Sequence, residues 1–121
     1  MEIVERIAQI IYDKKGSNIL ALDVRGLCSI AEKLLIAEAN VEQHARSIAQ
    51  EICREMKSVE ETPLFVEGLD EGDWIVLDLY PVMVHIFLPE MRAKYQIERL
   101  FAEGKIIDLD FNTSSTDLPL S

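Results

Sequence analysis

The sequence predicts a single α/β domain: a mixed five-stranded sheet flanked by helices, in the order αββαβββα. Three observations carry this. Apolar residues recur at helical spacing in two segments, and strand-length apolar runs lie between and after them. The strand–helix–strand stretch between residues 32 and 66 has the form of a right-handed parallel crossover. Residues 73–87, DWIVLDLYPVMVHIF, read as two strands joined so tightly that they must be antiparallel.

Each element has its own local reason. Ile3, Ile7, Ile10 and Ile11 place residues 2–14 on an amphipathic helix. Lys14-Lys15-Gly16 stops it, with positive charge at the carbonyl end and then a glycine. Residues 18–24 (NILALDV) form a first strand, residues 25–31 turn, and residues 32–37 (EKLLIA) form a second. Asn40 caps the next helix, with Gln43 as its capping-box partner. Val41, Ala45, Ile48, Ala49, Ile52 and Met56 make its apolar stripe, which ends near Lys57. Residues 62–66 make a third short strand and residues 68–72 (GLDEG) an acidic turn. Two strands follow, 74–79 and 82–87, joined at Tyr80-Pro81. Pro89 opens a last helix to about Glu103. The domain is expected to span residues 1–107, and residues 108–121, polar towards their end, a disordered tail.

The chain has 121 residues, with 49% apolar and 28% charged, enough for a core without metal or disulfides. Its net charge of −10 disfavours a direct grip on nucleic acid, which needs Lys and Arg on phosphates, and suits a basic protein partner. No apolar run reaches membrane-spanning length. The opening residues lack the basic start, plain apolar run and cleavage site of a secretory signal, so a cytoplasmic location is expected. Cys28 and Cys53 show no metal or redox spacing and read as small core residues in a reducing compartment.

Alternation sorts the hairpin into two faces. With Leu79 opposite Val82, Asp78 faces Met83, Val76 faces His85 and Trp74 faces Phe87. Ile75, Leu77, Leu79, Val82, Val84 and Ile86 then share a purely aliphatic face that belongs under helices. The other face gathers Trp74, Val76, Asp78, Met83, His85 and Phe87. It is either a second packed layer, with His85 bonded to Asp78 or to a carbonyl, or a partly exposed binding patch. Trp, Met and Phe are the residues that interfaces favour. Glu67, Asp70, Asp73 and Asp78 could meet partner lysines or arginines.

An enzymatic reading finds little support. His85 could pair with Asp78 or Tyr95, yet no nucleophile in a strained turn and no oxyanion-hole glycines accompany it. His44, in the first turn of its helix, reads as a neutral hydrogen-bonding residue. Asp108-Leu109-Asp110 is the one carboxylate triplet of metal-binding form, and it lacks a Gly-Ser phosphate turn upstream. No His/Cys metal cluster is present, so neither metal nor cofactor is expected.

Five blocks then occur in the order of one family: DKKGSNILALDV (13–24), SIAEKLLIAEAN (29–40) with His44 beyond, VEGLDEGDWIVLDL (66–79), VMVHIF (82–87) and RAKYQIERLF (92–101). Over residues 5–103 the chain resembles the ribosomal silencing factor family (RsfS, also called Iojap). It departs from the family pattern at Glu32–Ile36, at Glu38-Ala39-Asn40 and at Leu100-Phe101. The resemblance implies a sheet related to the nucleotidyltransferase fold without transferase activity. It implies a translation repressor that binds the large ribosomal subunit through ribosomal protein L fourteen and blocks joining of the small subunit. A part in ribosome assembly is also implied. The family's binding tryptophan matches Trp74, and Glu67, Asp78, His85, Arg92 and Tyr95 match by block position. Partner-binding residues are therefore expected to be Trp74, Asp78, Glu67, Asp73, Met83, His85, Phe87, Arg92 and Tyr95. The alternatives are a nucleotide-dependent enzyme, and an assembly module that uses the same face to form a homodimer.

Overall fold

The computed structural model describes residues 2–59, 63 and 65–112. Helix α1 (Ile3–Asp13) buries Val4, Ile7, Ala8, Ile10 and Ile11, the stripe its spacing dictates. At its end the left-handed position falls on Lys15 (φ 70°), one residue before the glycine. Gly16 is needed for space instead: a Cβ there would sit 2.3 Å from Cγ2 of Ile11.

Strands β1 (Ser17–Asp23) and β2 (Lys33–Glu38) pair antiparallel. Helix α2 (Glu42–Ser58) follows, then β3 (Phe65–Glu67), β4 (Trp74–Leu79) and β5 (Val82–Phe87). Of the strand predicted over 62–66, Thr62 and Leu64 lie outside the described residues. The cap of α2 is one residue later than predicted, at Val41, and His44 does the work expected of Gln43. His44 Nδ1 accepts the Asn40 backbone N–H at 2.9 Å, and its Nε2 lies 2.7 Å from the Lys14 carbonyl. An acceptor at Nδ1 requires the proton on Nε2, so one neutral imidazole ties the start of α2 to the end of α1.

The sheet has six strands, not five, in the order β3-β4-β5-β2-β1-β6. The extra strand, β6 (Lys105–Ile107), runs antiparallel to β1, with Ala21 opposite Ile107 and Asp23 opposite Lys105. The helix predicted to reach Glu103 stops at Tyr95, which makes room for it. Helix α3 spans Pro89–Tyr95, Gln96 turns left-handed (φ 44°), and a 3₁₀ turn covers Ile97–Phe101. The break lets Ile97 and Phe101 pack down on the sheet.

The α2 crossover joins β2 to β3, which run in the same direction as predicted, but the two are not neighbours. The parallel partner of β2 is β5, from Lys33↔Val82 to Glu38↔Phe87. β5 is apolar on both faces, apart from His85, and fits a central place; three-residue β3 takes the edge.

Each face of the sheet has its own core. Ile75, Leu77, Leu79, Val82, Val84 and Ile86 lie under α1 and α2, as the hairpin alternation requires. Leu22, Val24, Leu34, Ile36, Met83 and Phe87 lie on the other side with Ile97, backed by Met91 and Phe101. Cys53 packs partly on the first core and Cys28 on the second. Leu109 and Phe111, at the start of the segment predicted as a disordered tail, rest on the first core. Residues 113–121 lie outside the described residues. Among the described residues no helix is long and apolar enough to cross a membrane.

Candidate partner-docking site

The hairpin register places the site. Trp74 lies opposite Phe87, Val76 opposite His85 and Asp78 opposite Met83, as the alternation predicts. The ladder continues past Trp74, because the Leu88 backbone N–H donates to the Asp73 carbonyl at 3.0 Å. The preceding loop is fixed from both sides. Gly68 (φ 87°) and Gly72 (φ 78°) take conformations that side chains resist, and the Gly72 N–H donates to the Gly68 carbonyl at 2.8 Å. Arg46 of α2 donates to the carbonyls of Leu69 and Asp70 at 3.2 and 3.1 Å.

Trp74 is held by three rings. Its indole Nε1–H donates to Nδ1 of His85 at 3.0 Å. Its ring centroid lies 4.8 Å from that of Phe87 and 5.0 Å from that of Tyr95, the last residue of α3. Accepting at Nδ1 places the His85 proton on Nε2. Burial pushes the His85 pKa down to about 4, so the ring is neutral at pH 7 and remains an acceptor. The bond that orients His85 is thus to Trp74; Asp78 instead accepts the Tyr80 backbone N–H at 3.1 Å at the start of the hairpin turn.

The cluster is solid below and open above. Phe87 is wholly buried and Met83 only 8% exposed, so neither presents the contact surface expected of it; both support the rings above. They are covered because the α3 and 3₁₀ segments fold back over that face. Tyr95 is 46% exposed and Trp74 half-buried. Phe65, which the sequence does not single out, lies opposite Asp78 on the same face and is 41% exposed. The parity of β3 against β4 would have found it, had their pairing been known. Glu67, opposite Val76, is exposed beside them, as are Asp70 and Glu71 on the loop, with Asp73 half-buried. The result is a rigid aromatic patch bordered by carboxylates.

A family model described as "Ribosomal silencing factor during starvation" matches residues 1–119. The chain belongs to the ribosomal silencing factor family. It is 35% identical over 99 residues to the Ribosomal silencing factor RsfS of Bacillus subtilis, covering 82% of this chain and 84% of that one. The crystal structure of a Chromobacterium violaceum protein superposes with a TM-score of 0.80 at 25% identity, covering 95% of this chain and 98% of that one. A more distant mouse protein, "Mitochondrial assembly of ribosomal large subunit protein 1", is 19% identical over 119 residues, covering 96% of this chain and 52% of that one.

In this chain Arg92 faces inward, away from the patch it was expected to join. Its Nη1 donates to the Asn18 carbonyl and to Oε2 of Glu38, the latter at 3.2 Å, and its Nε lies 3.8 Å from Glu98. Its side chain is 13% exposed. Arg92 therefore fastens α3, and with it Tyr95, to the sheet.

Proposed function

We propose that this chain is a translation repressor that binds the large ribosomal subunit through ribosomal protein L fourteen and blocks joining of the small subunit by occupying that surface. The observation that carries the reading is the state of Trp74: oriented by His85, in tilted contact with Phe87 and Tyr95, and only half-buried. A large aromatic fixed before binding loses little entropy on docking. Glu67, Asp73 and Asp78 surround it with negative charge, and the net charge of −10 steers the chain towards a basic partner. Tyr95 beside Trp74, and Phe65 further along the same face opposite Asp78, extend the contact, with Met83, His85 and Phe87 supporting it from beneath.

Occlusion needs no chemical step, which agrees with a family defined by silencing. A contribution to large-subunit assembly is a companion reading, supported by the name of the mouse relative. The test is a subunit-joining assay. Large subunits preincubated with the wild-type chain should fail to form whole ribosomes on addition of small subunits. The same subunits with Trp74→Ala should join. Joining unaffected by saturating wild-type protein refutes the proposal.

A further inference from the structure

On the opposite side of the sheet, Gln9 of α1 spends both ends of its amide on one backbone residue. Its Nε2–H donates to the Asn112 carbonyl at 3.1 Å, and its Oε1 accepts the Asn112 backbone N–H at 2.8 Å. An adjacent β-strand would offer the same pair of bonds; here a helix supplies it through a side chain. A further bond from Nε2 to Asp13 Oδ1 at 2.9 Å fixes which end of the amide is which. One turn along, Tyr12 stacks on Phe111, centroids 4.6 Å apart and planes within 8°. Leu109, two residues earlier, points to the same core, as extended backbone requires. Glu5 and Asp110 also line the cleft of about 300 Å³ that Gln9, Leu109 and Phe111 complete.

We infer that α1 carries a docking groove for an extended peptide, and that its occupant is this chain's own Asp108–Asn112, seated as a latch that opens without unfolding the domain. The contacts that hold the segment include two amide bonds, a ring stack and the apolar packing of Leu109 and Phe111, and the strand leading to it has only three residues. Such a fringe contact opens locally, whereas the central strands open only with the whole domain.

Amide hydrogen exchange on the full-length chain, read residue by residue by NMR, tests this with Gln9→Met and Phe111→Ala as variants. In the wild type the Asn112 amide is protected. Each variant speeds its exchange about tenfold or more, the loss expected for a bond or stack of this kind. Central amides of β2 and β5 keep their rates. An unprotected Asn112 amide, or one indifferent to both variants, overturns the inference. So does a common change at Asn112 and in β2 and β5, which would make the segment part of one cooperative core.

Discussion

The indole N–H of Trp74 donates to Nδ1 of His85 across the β4–β5 ladder, with 3.0 Å between the nitrogens. The bond links a half-buried aromatic ring to a mostly buried one, and it exists only while His85 is neutral. Orientation of Trp74, the proposed docking residue, therefore depends on the protonation state of its neighbour.

Replacing His85 should show this directly. His85→Ala removes the acceptor and a packed ring, and is expected to destabilise the domain by about 1–3 kcal/mol. His85→Gln keeps an acceptor and should recover part of that loss. Urea unfolding gives the stabilities, and Trp74 fluorescence, from the only tryptophan in the chain, reports whether the indole keeps its environment.

Stability should fall as the solution is acidified. The folded His85 pKa is pushed down to about 4 from an ordinary 6.5, so between these values the unfolded chain binds the extra proton. The contribution is complete above about pH 6.5 and is lost as pH falls towards 4. From pH 7 to pH 5 the loss is roughly 1–2 kcal/mol. Urea midpoints across that range should move in the wild type and much less in His85→Gln. An equal shift in both would place the effect elsewhere.

Arg92 should matter for stability more than its place in the sequence suggests. Arg92→Met leaves Glu38, with a side chain only 15% exposed, and Glu98 without their cation. A loss of about 2–3 kcal/mol is expected, with part regained in Arg92→Met/Glu38→Gln. A double-mutant cycle on unfolding free energies measures the coupling.

Gly68 should not tolerate a side chain. Its φ of 87° is unfavourable for alanine, and a Cβ would lie 2.0 Å from the Trp74 carbonyl oxygen. Gly68→Ala should cost at least about 2 kcal/mol and displace the start of β4. Thermal melting and the Trp74 emission maximum check both effects.

Much of this was legible in the residues. The alternation of Ile75, Leu77 and Leu79 against Val82, Val84 and Ile86 excludes a one-residue slip, and with the short turn at Tyr80-Pro81 it sets Trp74 opposite Phe87. What depends on the far end of the chain was not legible. Gln96 carries no mark of a left-handed residue, so the break in the last helix, the 3₁₀ cover and β6 stay hidden. That cover is what buries Phe87 and Met83, which strand parity alone leaves on an open face. Arg92 shows the same limit, because its inward direction is set by Glu38 and Asn18, 54 and 74 positions away. His85 was placed on the correct face, yet its partner follows from a rotamer that no spacing encodes.

Binding of purified large ribosomal subunits by co-sedimentation, with Trp74→Ala beside the wild type, tests the central claim most directly. Loss of a central aromatic anchor should weaken binding about 30-fold or more, with an unchanged fold confirmed by circular dichroism. A folded Trp74→Ala that binds as tightly as the wild type would contradict the account.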